Sequence, residues 1–279
     1  MNSLTHKKIA FIGGGNMANA IIDGLLKVKK EQGLAFDVLV SDDNESKRAS
    51  FIAKGVQAVA PDDAYLIIRD ADVVVLAVKP QVMSEVCQEI RSYLSGQLVL
   101  SVAAGLSVAT LTKMLGGYDK IVRSMPNLPS SIGLGATGLF ASQVSDDDKA
   151  VASDIMRASG LVAWLDDEEQ MHAVTAVAGS APAYFFYVLE NMIEQAVAMG
   201  LPPEQAKSLA IQSLIGAGEL AKTADPAVLR TQVTSKGGTT AAALSVFAEQ
   251  GMGQILQDGM KACAHRSREL GELLGQDAS

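Results

Sequence analysis

Only two cysteines occur in the 279 residues, Cys87 and Cys263. They stand far apart, both in helix-like patterns, which leaves nothing from which to build a disulfide framework or a zinc site. A reducing, cytoplasmic setting and no bound metal are therefore expected. Histidine is nearly as rare: His6, His172 and His265 are expected to be structural or exposed, because a histidine without a partner is poor material for acid–base catalysis. Basic residues are outnumbered, 23 Lys+Arg against 31 Asp+Glu, for a formal net charge of -8. Neither nucleic acid nor an anionic membrane is an expected partner of such a chain, although local donors can still meet a small anion. Long apolar runs are missing too. Gly, Pro or charge interrupts the most apolar windows before about 18 residues, so no transmembrane helix is expected. The start, Met1 to Lys8, leads into only a short apolar run and carries no evident secretory signal.

What is present reads as a globular chain of two domains, 48% hydrophobic and 19% charged. From Lys8 to about Leu165, short apolar runs alternate with helix-period stretches. The candidate strands are IAFIG, VLVSD, DVVVLAV, LVLSVA, KIVRSM, TGLFA and LVAWL. Continuous Val, Leu and Ile runs suit a parallel sheet buried on both faces. Between them, MANAIIDGLLKV and QVMSEVCQEIRSYL carry apolar residues at helical spacing, giving the rhythm of a doubly wound, mostly parallel α/β sheet. After Asp166–Gln170 the strand pattern stops and everything reads as helix, with Gly200 and Pro203 as punctuation. The domains are expected at 1–167 and 168–279. Several helices of the second are apolar on more than one face and must be buried. Homo-oligomerisation is the expected answer; packing on the first domain is the alternative.

In IAFIGGGNMANAI, Gly13, Gly15 and Ala18 form a G-x-G-x-x-A pattern between a strand and a helix. Gly13 allows the tight turn, Gly15 lets backbone N–H groups approach a pyrophosphate, and Ala18 lets helix and strand pack closely. Ile12, Gly13, Gly14, Gly15, Asn16 and Met17 are thus candidate dinucleotide contacts, with the pyrophosphate at a positive helix terminus. A tight turn without a ligand is the bland alternative. The segment VLVSDDNESKR should then meet the adenosine ribose. Asp42 suits a 2′-hydroxyl and hence NAD, whereas Ser41, Asn44, Lys47 and Arg48 suit the 2′-phosphate of NADP. A third reading is that Asp42 to Arg48 merely caps the next helix. Ala77, Val78, Lys79 and Pro80 follow a central strand, at the sheet edge where ligands of such folds lie.

Six segments, FIGGGNMA, AVKP, SVAAG, RSMPNLP, GSAPAYFF and VTSKGGTTAAAL, occur in the order and at the separations of the pyrroline-5-carboxylate reductases, and the chain resembles that family from about Lys8 to Leu273. The resemblance implies a Rossmann domain followed by an all-helical domain that forms an intertwined dimer, with decamers in some members. It implies reduction of 1-pyrroline-5-carboxylate to L-proline, the last step of proline synthesis, with NADPH the usual reductant and NADH often accepted. Two departures stand out: Leu128 where the family usually has Thr, and Lys236 where it usually has Pro. Lys236 restores an N–H that proline lacks and adds a positive charge.

The cyclic imine is electrophilic once protonated, which accommodates the lack of a catalytic histidine. SKGGTT answers the need for a carboxylate clamp: Ser235 offers a hydroxyl, Gly237 and Gly238 allow N–H groups to be exposed, and the following helix presents its N-terminus. Thr239 belongs to the same cradle. By analogy with the family, Thr240 is the candidate for hydrogen bonding the ring nitrogen or relaying its proton; helix capping is the alternative for both threonines. In GSAPAYFF, Pro182 is expected to kink a helix. Asn127, in RSMPNLP, is the expected polar contact near the nicotinamide. A β-hydroxyacid dehydrogenase shares the two-domain plan but needs a lysine on the first long helix of the second domain. Residues 173–195 contain none. A nucleotide sensor without turnover would have no evident need for the second loop.

Overall fold

Runs of Val, Leu and Ile that cannot leave either face in water become the centre of one sheet. In the computed structural model, which describes residues 1–276, the strands are β1 (Lys8–Ile12), β2 (Asp37–Ser41), β3 (Gln57–Val59), β4 (Val73–Leu76), β5 (Leu98–Ser101), β6 (Ile121–Met125), β7 (Gly135–Phe140) and β8 (Gly160–Trp164). Their order is β3-β2-β1-β4-β5-β6-β7-β8. All neighbours run parallel except β6 and β7. Every residue of β4 and β5 is buried, as expected where helices cover both faces. Strand β3 was not among the seven runs read from the sequence. It is a three-residue edge strand, too short to show a pattern.

The crossovers are α1 (Asn16–Gln32), α2 (Glu45–Ala53), α3 (Ala64–Arg69), α4 (Met83–Ile90), α5 (Val108–Met114) and α6 (Asp146–Arg157). One core layer joins Ile9 and Phe11 to Ile21, Leu25 and Ile155; the other joins Ala10 and Ile12 to Ile67, Met83 and Leu111. The alternation along β1 thus feeds two cores. Because β2 lies on one side of β1 and β4 on the other, the winding reverses between β1 and β4, and the strand ends Ile12 and Leu76 are paired there. A crevice opens beyond such a reversal.

After β8 the chain is helical: α7 (Gln170–Val174), a π-helical turn (Thr175–Gly179), α8 (Ala181–Ala198), α9 (Pro203–Leu220), α10 (Pro226–Gln232), α11 (Thr239–Glu249) and α12 (Met252–Gln276). Gly200 closes α8 with φ 101° and Pro203 opens α9. The secondary structure therefore changes character at the expected place near Asp167, but the packing divides elsewhere. One compact unit comprises Met1–Ser180 and the residues from Cys263 onward; the other is Ala181–Ala262. Within the first unit, the end of α12 lies against the turn after β5: a Cβ on Gly271 would meet the Gly105 carbonyl at 2.8 Å, and one on Gly105 would meet Leu274 at 3.1 Å.

The helical stretch Gln170–Ala198 is 29 residues long with a mean hydropathy of 1.2 in its most apolar window. By length and composition alone it suffices to cross a membrane, a test that a core helix of a soluble protein also passes. Within it, a π turn over Thr175–Gly179 and a bend at Ser180 precede the start of α8, whose second residue is Pro182.

Candidate active site

The turn after β1 is fixed from three directions. Gly13 takes φ 97°, a region open to glycine at little cost, and its N–H donates to the Ser41 carbonyl at 2.8 Å. A Cβ there would sit 2.8 Å from the Ala77 carbonyl oxygen, and one on Gly14 would sit 2.6 Å from the Phe51 ring. The Gly14 N–H donates to Asp42 Oδ2 at 2.7 Å. Gly15 is the N-cap of α1, with no side chain capping that terminus. Alanine at position 18 is fully buried, as close helix–strand packing requires. The first-turn N–H groups of a 17-residue helix are thus offered at the winding reversal.

A cleft of about 560 Å³ opens over this turn, lined by Ile12, Gly13, Gly15, Ser41, Asp42 and the Ala77–Lys79 segment among others. A nicotinamide dinucleotide fits it: the cradle is one that any Cβ at Gly13 or Gly14 would disturb, and the uncapped helix terminus suits a pyrophosphate. Met17 is half-buried and Asn16 exposed beside it. Ala77 is tied back to β1, its N–H donating to the Ile12 carbonyl at 2.8 Å. Lys79 is exposed and precedes a short 3-10 turn beginning at Pro80.

Asp42 is buried at 6% exposure and holds three donors. Besides Gly14, it accepts from the Asn44 N–H at 2.9 Å and from Lys47 Nζ at 3.3 Å. Burial alone would raise its pKa; the hydrogen bonds from Asn44 and Gly14 and the Lys47 ammonium outweigh that and hold the carboxyl below its ordinary value. The cap of α2 is Asn44, whose side chain accepts from the Lys47 N–H. Arg48 donates through Nη1 to the carbonyls of Asp42 and Asp43 at 2.8 and 2.9 Å.

Asn127 is buried and works at both ends of its amide. Its Nδ2 donates to the Ala178 carbonyl at 3.1 Å, and its Oδ1 accepts from the Ala136 N–H at 2.9 Å. One Nδ2 hydrogen and one Oδ1 lone pair are left over from these two bonds. Pro182, four residues past Ala178, has no N–H to give that carbonyl, which is why a side chain can take it. Ahead of Pro182, where a proline kink is expected, the helix makes a π turn, closed by the Ser180 N–H donating to the Thr175 carbonyl at 2.8 Å. Such turns insert one residue into a helix and often mark functional sites. Leu128 is 61% exposed.

The second glycine turn belongs to the helical unit. Gly237 takes φ 73°, and the Gly238 N–H donates to the Ser235 carbonyl at 3.0 Å. Gly238 is the N-cap of α11 and no side chain caps that terminus. Thr239 and Thr240 are therefore the first two residues of the helix, not its caps. Ser235, Lys236, Thr239 and Thr240 are all exposed on this unit.

Sequence reasoning missed a cluster beside the end of α12. Arg123, 4% exposed, donates to Glu168 Oε1 at 2.8 Å, and the same oxygen accepts from the Val108 N–H at 2.8 Å. The acidic run Asp166–Glu169 marks the end of the strand pattern, and nothing local marks one of its carboxylates as the partner of a residue 45 positions earlier. Nearby, His172 Nδ1 lies 2.9 Å from Ser267 Oγ, and burial lowers its pKa. His265 is an exposed ion-pair partner of Glu269. Burial pushes the Cys87 thiol up to about 12, so it is inert. No group of side chains that could hold a metal ion occurs among the described residues.

The winding reversal, its glycine turn and its uncapped helix define an oxidoreductase of the NAD(P)H-dependent class. Residues 8–105 match the family described as NADP oxidoreductase, coenzyme F420-dependent, and residues 168–270 match the pyrroline-5-carboxylate reductase dimerisation family. A pyrroline-5-carboxylate reductase of Haemophilus influenzae is 46% identical over 96% of this chain and 98% of its own length. Among solved structures, one of a pyrroline-5-carboxylate reductase from Coxiella burnetii has a TM-score of 0.87 at 38% identity, covering 95% of this chain and 99% of that one. The Plasmodium falciparum pyrroline carboxylate reductase with NADP bound has a TM-score of 0.82 at 27% identity, covering 96% and 99%. The chain belongs to the pyrroline-5-carboxylate reductase family.

Proposed function

We propose that the chain reduces 1-pyrroline-5-carboxylate to L-proline, with NADP(H) or alternatively NAD(H) in the crevice between β1 and β4. The observation that carries this reading is the second glycine turn. A dinucleotide site alone defines only a class, whereas a second uncapped helix N-terminus with a serine beside it supplies what a small anionic substrate needs. Ser235, Gly237, Gly238 and Thr239 hold the substrate carboxylate at the start of α11. Thr240 donates to, or relays the proton of, the ring nitrogen. When bound, the nicotinamide supplies the hydride.

The chain's own contribution is orientation. Ile12, Gly13, Gly14, Gly15, Asn16 and Met17 seat the pyrophosphate, Ser41 and Asp42 face the adenosine ribose, and Ala77, Val78, Lys79 and Pro80 border the cleft toward the nicotinamide. Asn127 shapes the nicotinamide region by bracing the π turn, with its remaining hydrogen available there. By role rather than by packing, residues 1–167 are read as the cofactor domain and 168–279 as the substrate and dimerisation domain.

The helical unit leaves Phe185, Phe186, Tyr187, Ile215, Phe247 and Ile255 about half exposed or more. So much apolar surface is stabilised by covering it, and the reading is a homodimer, extending in some assemblies to a decamer, in the cytoplasm. The test is oxidation of NADPH or NADH that depends on pyrroline-5-carboxylate, together with the mass in solution by sedimentation. A folded protein that oxidises neither cofactor with this substrate removes the reading.

A further inference from the structure

The charged residues that line the cleft as a whole point one way. Its charged lining consists of Asp42, Asp43, Glu85 and Glu89 against Lys47 and Lys79, four acids to two ammoniums. A 2′-phosphate brings about -1.5 to -2 charges at neutral pH and needs cations that are free to meet it. Arg48, which sequence spacing offered for that purpose, has its Nη1 turned under the loop to the Asp42 and Asp43 carbonyls. Lys47 is paired with Asp42.

Asp42 itself cannot move aside cheaply. Its Oδ2 holds the Gly14 N–H and its Oδ1 the Asn44 N–H, so rotating the carboxylate away would unmake the glycine turn that seats the pyrophosphate. A carboxylate fixed at the end of β2 accepts from a ribose 2′-hydroxyl and repels a phosphate in the same place.

We infer that Asp42 is the specificity-determining residue of the cofactor site and that this chain selects NAD(H) over NADP(H). The inference rests on the reading that the β1–β4 crevice binds a nicotinamide dinucleotide. It goes beyond that reading by choosing between cofactors that the family's fold admits equally.

The test is calorimetric binding of NAD⁺ and NADP⁺, and of the fragments ADP and 2′,5′-ADP, to the full-length protein. NAD⁺ and ADP are expected to bind at least about tenfold more tightly than their 2′-phosphorylated counterparts, equivalent to about 1.4 kcal/mol. Lowering the pH from about 8 to about 5.5 removes part of the 2′-phosphate charge, whose second pKa is about 6, and is expected to narrow the gap while Asp42 stays ionised. Asp42→Ser, which also loses the Gly14 contact, is expected to weaken NAD⁺ more than NADP⁺, and to shift the ratio of kcat/KM values toward NADPH. Should that variant fail to fold, the fragment comparison and its pH dependence in the unaltered protein still decide. Equal or tighter binding of NADP⁺ overturns the inference and leaves the proposed reduction standing. Failure of both dinucleotides to bind overturns the crevice reading itself.

Discussion

Two glycine turns open two helices in this chain, and they are held in opposite ways. The turn at Gly13–Gly15 is enclosed: strand ends, the Asp42 carboxylate and the Phe51 ring all touch it, and added Cβ atoms at Gly13 and Gly14 would collide with them. The turn at Ser235–Gly238 is held only by itself. A Cβ on Gly237 would meet nothing within 4 Å, and one on Gly238 would meet only Ser235. The fold dictates the first turn through residues distant in sequence, whereas the second is written locally. A large cofactor common to many enzymes is seated by architecture, and a small substrate by a few neighbouring residues.

The largest effect that separates the two turns is expected at Gly13. Gly13→Ala meets both the φ of 97° and the Ala77 backbone, for about 2–4 kcal/mol of stability, and dinucleotide binding should fall below detection by calorimetry. Binding at unaltered affinity would show that the enclosure does not matter. Next is Thr240→Ala, which removes one proposed hydrogen bond to a charged group and should lower kcat/KM for the imine about 10- to 100-fold while leaving NAD⁺ affinity intact. An unchanged kcat/KM would take Thr240 out of the mechanism.

Gly237→Ala should cost only about 1–2 kcal/mol, the strain of a left-handed residue in open space, read as a small loss in Tm and a raised KM for the imine. A loss as large as that of Gly13→Ala would erase the contrast. The smallest effect concerns acid. Because the folded state lowers the Asp42 pKa, its contribution is complete above the ordinary value of 3.8 and is lost as pH falls through the lowered one. Asp42→Asn should flatten this part of the acid unfolding curve, measured by circular dichroism, and an identical curve would mean that the Gly14 contact stabilises nothing.

How much of this could be read beforehand follows the same division. The pattern Gly13, Gly15, Ala18 and the buried Val and Leu strands announce themselves, because each depends on residue type and short spacing. SKGGTT was equally visible, since its shape is local. Three things were not. The three residues of β3 carry no periodicity. The Arg123–Glu168–Val108 contact joins segments that only the folded sheet brings together. The choice among roles for Asp42 depended on where its two oxygens point: Asn44 turned out to cap α2, which freed Asp42 for the glycine turn. In GSAPAYFF the proline was legible, and the π turn at Thr175–Gly179 that precedes it has no sequence signature of its own.

The route of α12 bears on how the protein is made. Ser267 and Gly271 belong to the sheet unit, one beside His172 and the other against Gly105, yet the whole of Ala181–Ala262 separates them in sequence from the rest of that unit. Chains are synthesised at about 5–20 residues per second, so the sheet waits through the whole of Ala181–Ala262 before this piece of α12 arrives. A nascent chain halted between Ala262 and Ser267 would therefore carry a fully translated helical unit and an unfinished nucleotide-binding one.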